Sequence, residues 1–183
     1  WYDAKFWIYL LNQLSLLQDP EVDLKLLKYF RQHRSGDQYD LPTEAQWEGA
    51  ARGMGKFNGS FHFGELDPDE IILKEYAHYD SDKTIPVASK KPIEYDGKKF
   101  YDLNGNVLEW VLDGYKMEDP ELMGGVDPLF PHTDTYGVSR GGVYYYKSSM
   151  VTLGERHLNA KMAVNPYHGF RLVKIVKDEG EKN

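Results

Sequence analysis

Leu41-Pro42-Thr43-Glu44-Ala45-Gln46-Trp47-Glu48-Gly49-Ala50-Ala51-Arg52-Gly53 is the stretch on which the fold turns. A short helix starts at Thr43, and Thr43 with Gln46 fits a capping box. In that arrangement the threonine hydroxyl and the glutamine amide each satisfy an orphan backbone group of the first turn. Trp47 and Ala51 lie one turn apart and are expected to face inward, and Gly53 ends the helix.

Upstream, apolar residues recur at helical spacing. Phe6, Leu10, Leu14 and Leu17, widened by Trp7 and Leu11, predict a helix over residues 4–18 with Asp3 as its cap. Asp19-Pro20 stops it. A second amphipathic stretch over residues 21–33 sets Val22, Leu26, Leu27 and Phe30 against Lys25, Lys28 and Arg31, and Ser35-Gly36 closes it. Downstream of Gly53 the texture changes: Gly, Pro, Asp and Asn are spread throughout and no long helical period appears. Short β-branched and aromatic runs at 99–103, 107–112, 143–146 and 170–176 read as strands between ordered loops. The charged tail, residues 177–183, reads as frayed. The fold class is α+β, loop-rich, with short strands and two to three helices.

Composition narrows the function. The chain has 183 residues, 41% hydrophobic, with 14% aromatics and fourteen tyrosines. No apolar run approaches the ~20 residues of a membrane-spanning helix. The net charge is -7 (22 basic against 29 acidic residues), with no dense basic patch to neutralise phosphates, which argues against nucleic acid as a partner. The absence of cysteine excludes disulfides, thiolate metal sites and thiol nucleophiles. The histidines show no HExxH spacing, and no GxSxG, Walker or dinucleotide signature is present. Arg156 and Arg171 are expected to pair with buried carboxylates. The sequence opens at Trp1 on a motif, which reads as a processed or truncated chain; a signal or lipid anchor would then lie upstream.

Five segments in order carry a resemblance. Trp1-Tyr2-Asp3-Ala4, the Leu41–Gly53 stretch, Tyr101-Asp102-Leu103-Asn104-Gly105-Asn106-Val107-Leu108-Glu109-Trp110, Arg140-Gly141-Gly142 and Gly169-Phe170-Arg171-Leu172-Val173 are similar to the sulfatase-modifying-factor (formylglycine-generating enzyme) family. The resemblance implies a C-type-lectin-like domain over residues 1–176, with an N-terminal helical insertion at about 20–38 that departs from the family pattern.

The family's enzymes bind copper through a cysteine pair placed shortly after Arg-Gly-Gly. Those positions fall on Tyr146 and about Val151, and neither offers a soft thiolate to Cu(I), so copper is not expected. The family's structural calcium falls on Asp102, Gly105, Val107 and Glu109. There a tight turn can aim carbonyls inward while two carboxylates contribute hard oxygens; the alternative is a metal-free turn whose acids cap backbone donors. Leu108 stands where the family carries a tryptophan of its surface cleft.

Two candidate surfaces for a protein partner follow. One is Val22, Leu26 and Phe30 on the insertion, which could equally be a surface hairpin. The other is Tyr144 and Tyr146, with Tyr145, Tyr136 and Tyr167 nearby, which could equally be a strand whose alternate tyrosines enter the core. Three functions are compatible: a non-catalytic protein-binding or assembly module of a bacterial envelope complex, such as a secretion or gliding lipoprotein; an accessory domain of a non-copper, sulfoxide-synthase-like oxidoreductase whose metal domain lies elsewhere; or a diversified lectin-like ligand binder. The first favours an extracytoplasmic place, in the periplasm or cell envelope.

Overall fold

The computed structural model describes residues 1–17, 19–22, 25, 36–66, 69–115, 129 and 135–176. The elements run α1 (Tyr2–Leu16), β1 (Gln38–Asp40), α2 (Glu44–Ala51), α3 (Ile71–Tyr76), β2 (Ile93–Tyr95), β3 (Lys98–Phe100), β4 (Leu108–Gly114), β5 (Tyr136–Arg140), β6 (Arg156–Ala160), β7 (His168–Phe170) and β8 (Val173–Ile175), with a 3-10 turn at Ser148–Met150. The chain is α+β, with few helices and short, curled sheets.

The capping box forms as the sequence dictates. Gln46 N donates to Thr43 Oγ1 and Thr43 N to Gln46 Oε1, both at 3.0 Å. Trp47 and Ala51 are buried with Leu103, Val111, Val138 and Leu153 in the largest core cluster.

Four strands in the order β6-β5-β4-β7 make the central sheet, antiparallel except where β7 joins β4 in parallel. Register fixes what each face carries. Glu109 pairs with Arg140, and Arg140 with Arg156, so these three charges share the face that α2 covers. Trp110 pairs with Ser139, and Ser139 with His157, so this row takes the opposite face. There α1 packs through Ala4 and Ile8 against Trp110 and Leu41. Two small pairs flank the sheet: β1 with β8, and the hairpin β2-β3 about Asp96-Gly97. That hairpin takes a two-residue turn with positive φ at both positions, +48° and +72°, the geometry that suits Asp-Gly.

The structure corrects three expectations. Helix α1 starts at Tyr2, and Asp3 lies in its first turn instead of capping it. Its buried residues are Ala4, Ile8, Leu11 and Ser15, while Phe6, Leu10, Leu14 and Leu17 are exposed, Phe6 at 63%. The helix is apolar on nearly every side, so periodicity could not choose; small Ala4 and Ser15 let the backbone approach its neighbours closely. Finally, residues 143–146 form no strand. Gly141 and Gly142 have φ of +91° and +77°, and the chain turns at once, with Tyr146 N donating to Val143 O at 2.9 Å.

Candidate functional site

Helix α2 meets the sheet through ion pairs and not through apolar contact alone. Glu44 takes both Arg156 Nε (2.5 Å) and Nη2 (2.7 Å). Glu48 accepts from Arg140 Nη2 at 2.5 Å and Arg52 Nε at 2.6 Å. Arg140 is fully buried; it also donates to the carbonyls of Gly154 (3.0 Å), Glu155 (2.9 Å) and Leu153 (3.0 Å). Burial draws its guanidinium below the ordinary arginine pKa, against the pull of Glu48 and Glu44. The pairing expected for Arg156 and Arg171 is present; the central role of Arg140 was not foreseen. The signal for it was Glu44 and Glu48, one helical turn apart beside Trp47.

The Asn104-Gly105-Asn106 turn fastens three loops. Gly105 N donates to Gly141 O (2.6 Å), Asn106 N to His78 O (2.8 Å) and Tyr144 N to Asn106 O (3.0 Å). The side chains add Asn104 Nδ2 to Val151 O (2.6 Å) and Ile85 N to Asn106 Oδ1 (3.1 Å). Both asparagines are buried.

The four residues expected to hold calcium lie in and beside this turn, and their carboxylates already have protein partners. Glu109 receives Arg171 Nη2 at 2.5 Å and Trp47 Nε1 at 2.7 Å, together with Arg171 Nε. Asp102 Oδ2 accepts from Ala88 N at 2.7 Å. Among the described residues no group of three His, Asp or Glu is placed to hold a metal. A divalent cation at Glu109 would compete with the Arg171 guanidinium for the same carboxylate. Chelator should therefore leave the melting temperature unchanged, whereas Glu109→Gln should lower it equally with and without chelator. A chelator-dependent drop abolished by Glu109→Gln would reverse this assignment.

Tyr146 and Val151 occupy the positions discussed for the copper pair. Val151 is buried with Phe61, Leu73 and Ala77, and Tyr146 packs against the same cluster. Leu108 is buried. Tyr145 instead stands out, 44% exposed, with ring centroids 5.2 Å from Tyr144, 5.1 Å from Tyr146 and 5.6 Å from Tyr167. Among Tyr144, Tyr145 and Tyr146, then, Tyr145 is the outward residue and the other two are half-buried, while Tyr136 of the same expected surface is exposed as well. On the insertion, Val22 is half-buried against Leu11 and Tyr39, while Leu26 and Phe30 lie outside the described residues.

The sulfatase-modifying factor enzyme 1-like domain model matches residues 1–176. The chain belongs to that family. Among curated relatives, it is 37% identical over 139 residues to the serine/threonine-protein kinase Pkn1 of Chlamydia trachomatis serovar L2, covering 75% of this chain and 21% of the kinase. It is 36% identical over 119 residues to the formylglycine-generating enzyme of Streptomyces coelicolor, covering 57% of this chain and 35% of the enzyme. Among solved structures, Treponema denticola variable protein 1 superimposes with a TM-score of 0.60 at 32% identity, covering 74% of this chain and 47% of that one. The chain thus spans well under half the length of these curated relatives. Unlike a catalytic sulfatase-modifying factor, these 183 residues contain no cysteine, so a two-thiolate copper centre cannot be built from them.

Proposed function

We propose that this domain is a non-catalytic protein-binding module on a formylglycine-generating-enzyme scaffold, serving assembly in a bacterial envelope complex such as a secretion or gliding lipoprotein. One observation carries the reading. The motifs that build the frame are intact, yet the place of the reactive pair holds a packed Tyr146 and a buried Val151, with Tyr145 raised above them on a ring cluster. Rigid loops bearing an exposed tyrosine suit specific contact, because tyrosine brings large area and a polar tip with few rotamers to freeze. That related sequence forms a fifth of a chain named as a kinase supports use as a module within larger proteins.

A second reading, a lectin-like ligand binder, draws on the likeness to the Treponema variable protein and would use the same surface.

The test is recovery of partners from the native host by cross-linking and affinity purification, wild type against Tyr145→Ser. Tyr145 is exposed but sits against three rings, each edge contact worth about 0.5–1.5 kcal/mol, so the variant should melt several degrees below wild type yet stay folded at the temperature of the assay. It should also lose most of the cross-linked protein. Equal recovery from both, or a monomer alone from both, would sink the docking surface. Formylglycine produced from a cysteine peptide with Cu(I) and oxygen would sink the non-catalytic reading.

A further inference from the structure

Helix α1 turns Ala4, Ile8, Leu11 and Ser15 inward, and its polar residues are held at its sides. Lys5 is paired with Asp40, and Asn12 exchanges hydrogen bonds of 2.9 Å with the backbone of Tyr39. What faces outward is apolar. Phe6, Leu10, Leu14 and Leu17 follow one another at spacings of four, four and three residues, with Trp7 and Tyr9 beside them. All six keep between 43% and 63% of their surface in water.

A helix that is apolar all round is normally covered all round. The outward face is large enough to be an interface. A half-exposed aromatic or leucine side chain leaves roughly 100 Å² in water, so six offer roughly 600 Å² and two such faces roughly 1,200 Å², the lower bound of a stable specific contact. Residues 6–17 include no charge at all. Asp3 falls at the N-terminal end of the face, where a rim charge stays hydrated.

Two features select a second copy of this chain as the cover. Interfaces between identical chains are more apolar than those with other partners, and their centres are poorest in charge. With a net charge of -7, two copies repel each other on average, and the uncharged stretch is where they can meet. The stripe is also its own complement. Phe6 lies four residues before Leu10 and Leu14 four after it, so a two-fold axis through Leu10 lays Phe6 on the partner's Leu14 and Leu14 on the partner's Phe6. We propose that two copies of this chain pair through α1 as an antiparallel dimer centred on Leu10, a contact that uses none of the tyrosines of the docking surface above.

Sedimentation velocity of the 183-residue chain between about 1 and about 100 µM tests this. The mass should rise from 21.2 kDa toward twice that value, with a dimer Kd of about 10 µM or tighter. Leu10→Arg sets two like charges on the axis and should weaken the dimer about tenfold or more. Phe6→Lys and Leu14→Glu should each weaken it in the same way. An equimolar mixture of those two variants should regain dimer, because the introduced lysine meets the introduced glutamate only in the antiparallel register. All three positions are exposed, so circular dichroism should show each variant folded, and Tyr145→Ser should dimerise like wild type. The proposal is overturned if the wild-type chain stays at 21.2 kDa up to about 100 µM, if Leu10→Arg dimerises as tightly as wild type, or if the mixture holds no more dimer than its components. A wild-type monomer that binds phosphatidylcholine vesicles, with Leu10→Arg abolishing the binding, would give the face to lipid and overturn it as well.

Discussion

Arg140→Met should lower the unfolding free energy by about 3–5 kcal/mol, the usual cost of removing one partner from a buried ion pair. For a chain of this size that corresponds to a fall of roughly 10–15 °C in melting temperature. The side chain is fully buried, and its five-donor fork serves Glu48 and three carbonyls at 3.0 Å or less. Glu44 Oε1 is also within 3.5 Å. Methionine fills the volume but leaves the carbonyls of Leu153, Gly154 and Glu155 without their donor, and Glu48 with Arg52 alone. Arg140→Lys should recover only part of the loss, because a point charge cannot reproduce the planar fork. The exposed pair between Lys91 and Glu75, 2.7 Å apart, provides the contrast: Lys91→Gln should not measurably move the midpoint. If Arg140→Met melts with wild type, the ion-pair frame is not what holds α2 to the sheet.

The second large effect is expected at Gly105. Its φ is +79°, and a β-carbon there would lie 2.1 Å from the His78 carbonyl oxygen. Gly105→Ala therefore meets two costs: roughly 1–3 kcal/mol for left-handed backbone in a residue with a side chain, and roughly 1–3 kcal/mol for displacing packed neighbours. The displaced group is the carbonyl that accepts from Asn106 N at 2.8 Å, so the strain reaches the turn that ties the loops together. Gly97→Ala isolates the first cost, since φ is +72° and no atom lies within 4 Å of the added carbon. Urea unfolding of the two variants should place Gly105→Ala well below Gly97→Ala. Equal midpoints would mean that the close approach at His78 relaxes freely.

Local signals survived best in the passage from sequence to structure. The capping box at Thr43 depends on residues three apart, so α2 was legible to its ends. The Asp96-Gly97 hairpin was equally local and was missed only because its strands are three residues each. Strands β5 and β6 were illegible for a different reason. Their buried or half-buried positions include Ser139, Arg140, Arg156 and His157, matched by polar partners across the sheet, so no apolar alternation marks them. Residues 143–146 failed in the opposite direction: valine and tyrosines promise a strand, yet two preceding glycines at positive φ turn the chain away. The family motifs located the candidate site, but the partners of Glu109 lie 62 residues away on either side, at Trp47 and Arg171, and only the fold could join them.

The parallel edge of the central sheet also governs the order in which this domain can assemble. Strand β4 is complete at Gly114, but its neighbour β7 begins only at His168, and the antiparallel partner of β1 ends at Ile175. The long crossover must close before either pairing gains anything, and such non-local closure slows folding. On a ribosome releasing the chain from its N-terminus, Trp110 and the α1 face would wait for the final strands, and the short helix α2 would wait for Arg140 and Arg156. The domain is built to fold only when nearly all of it has emerged.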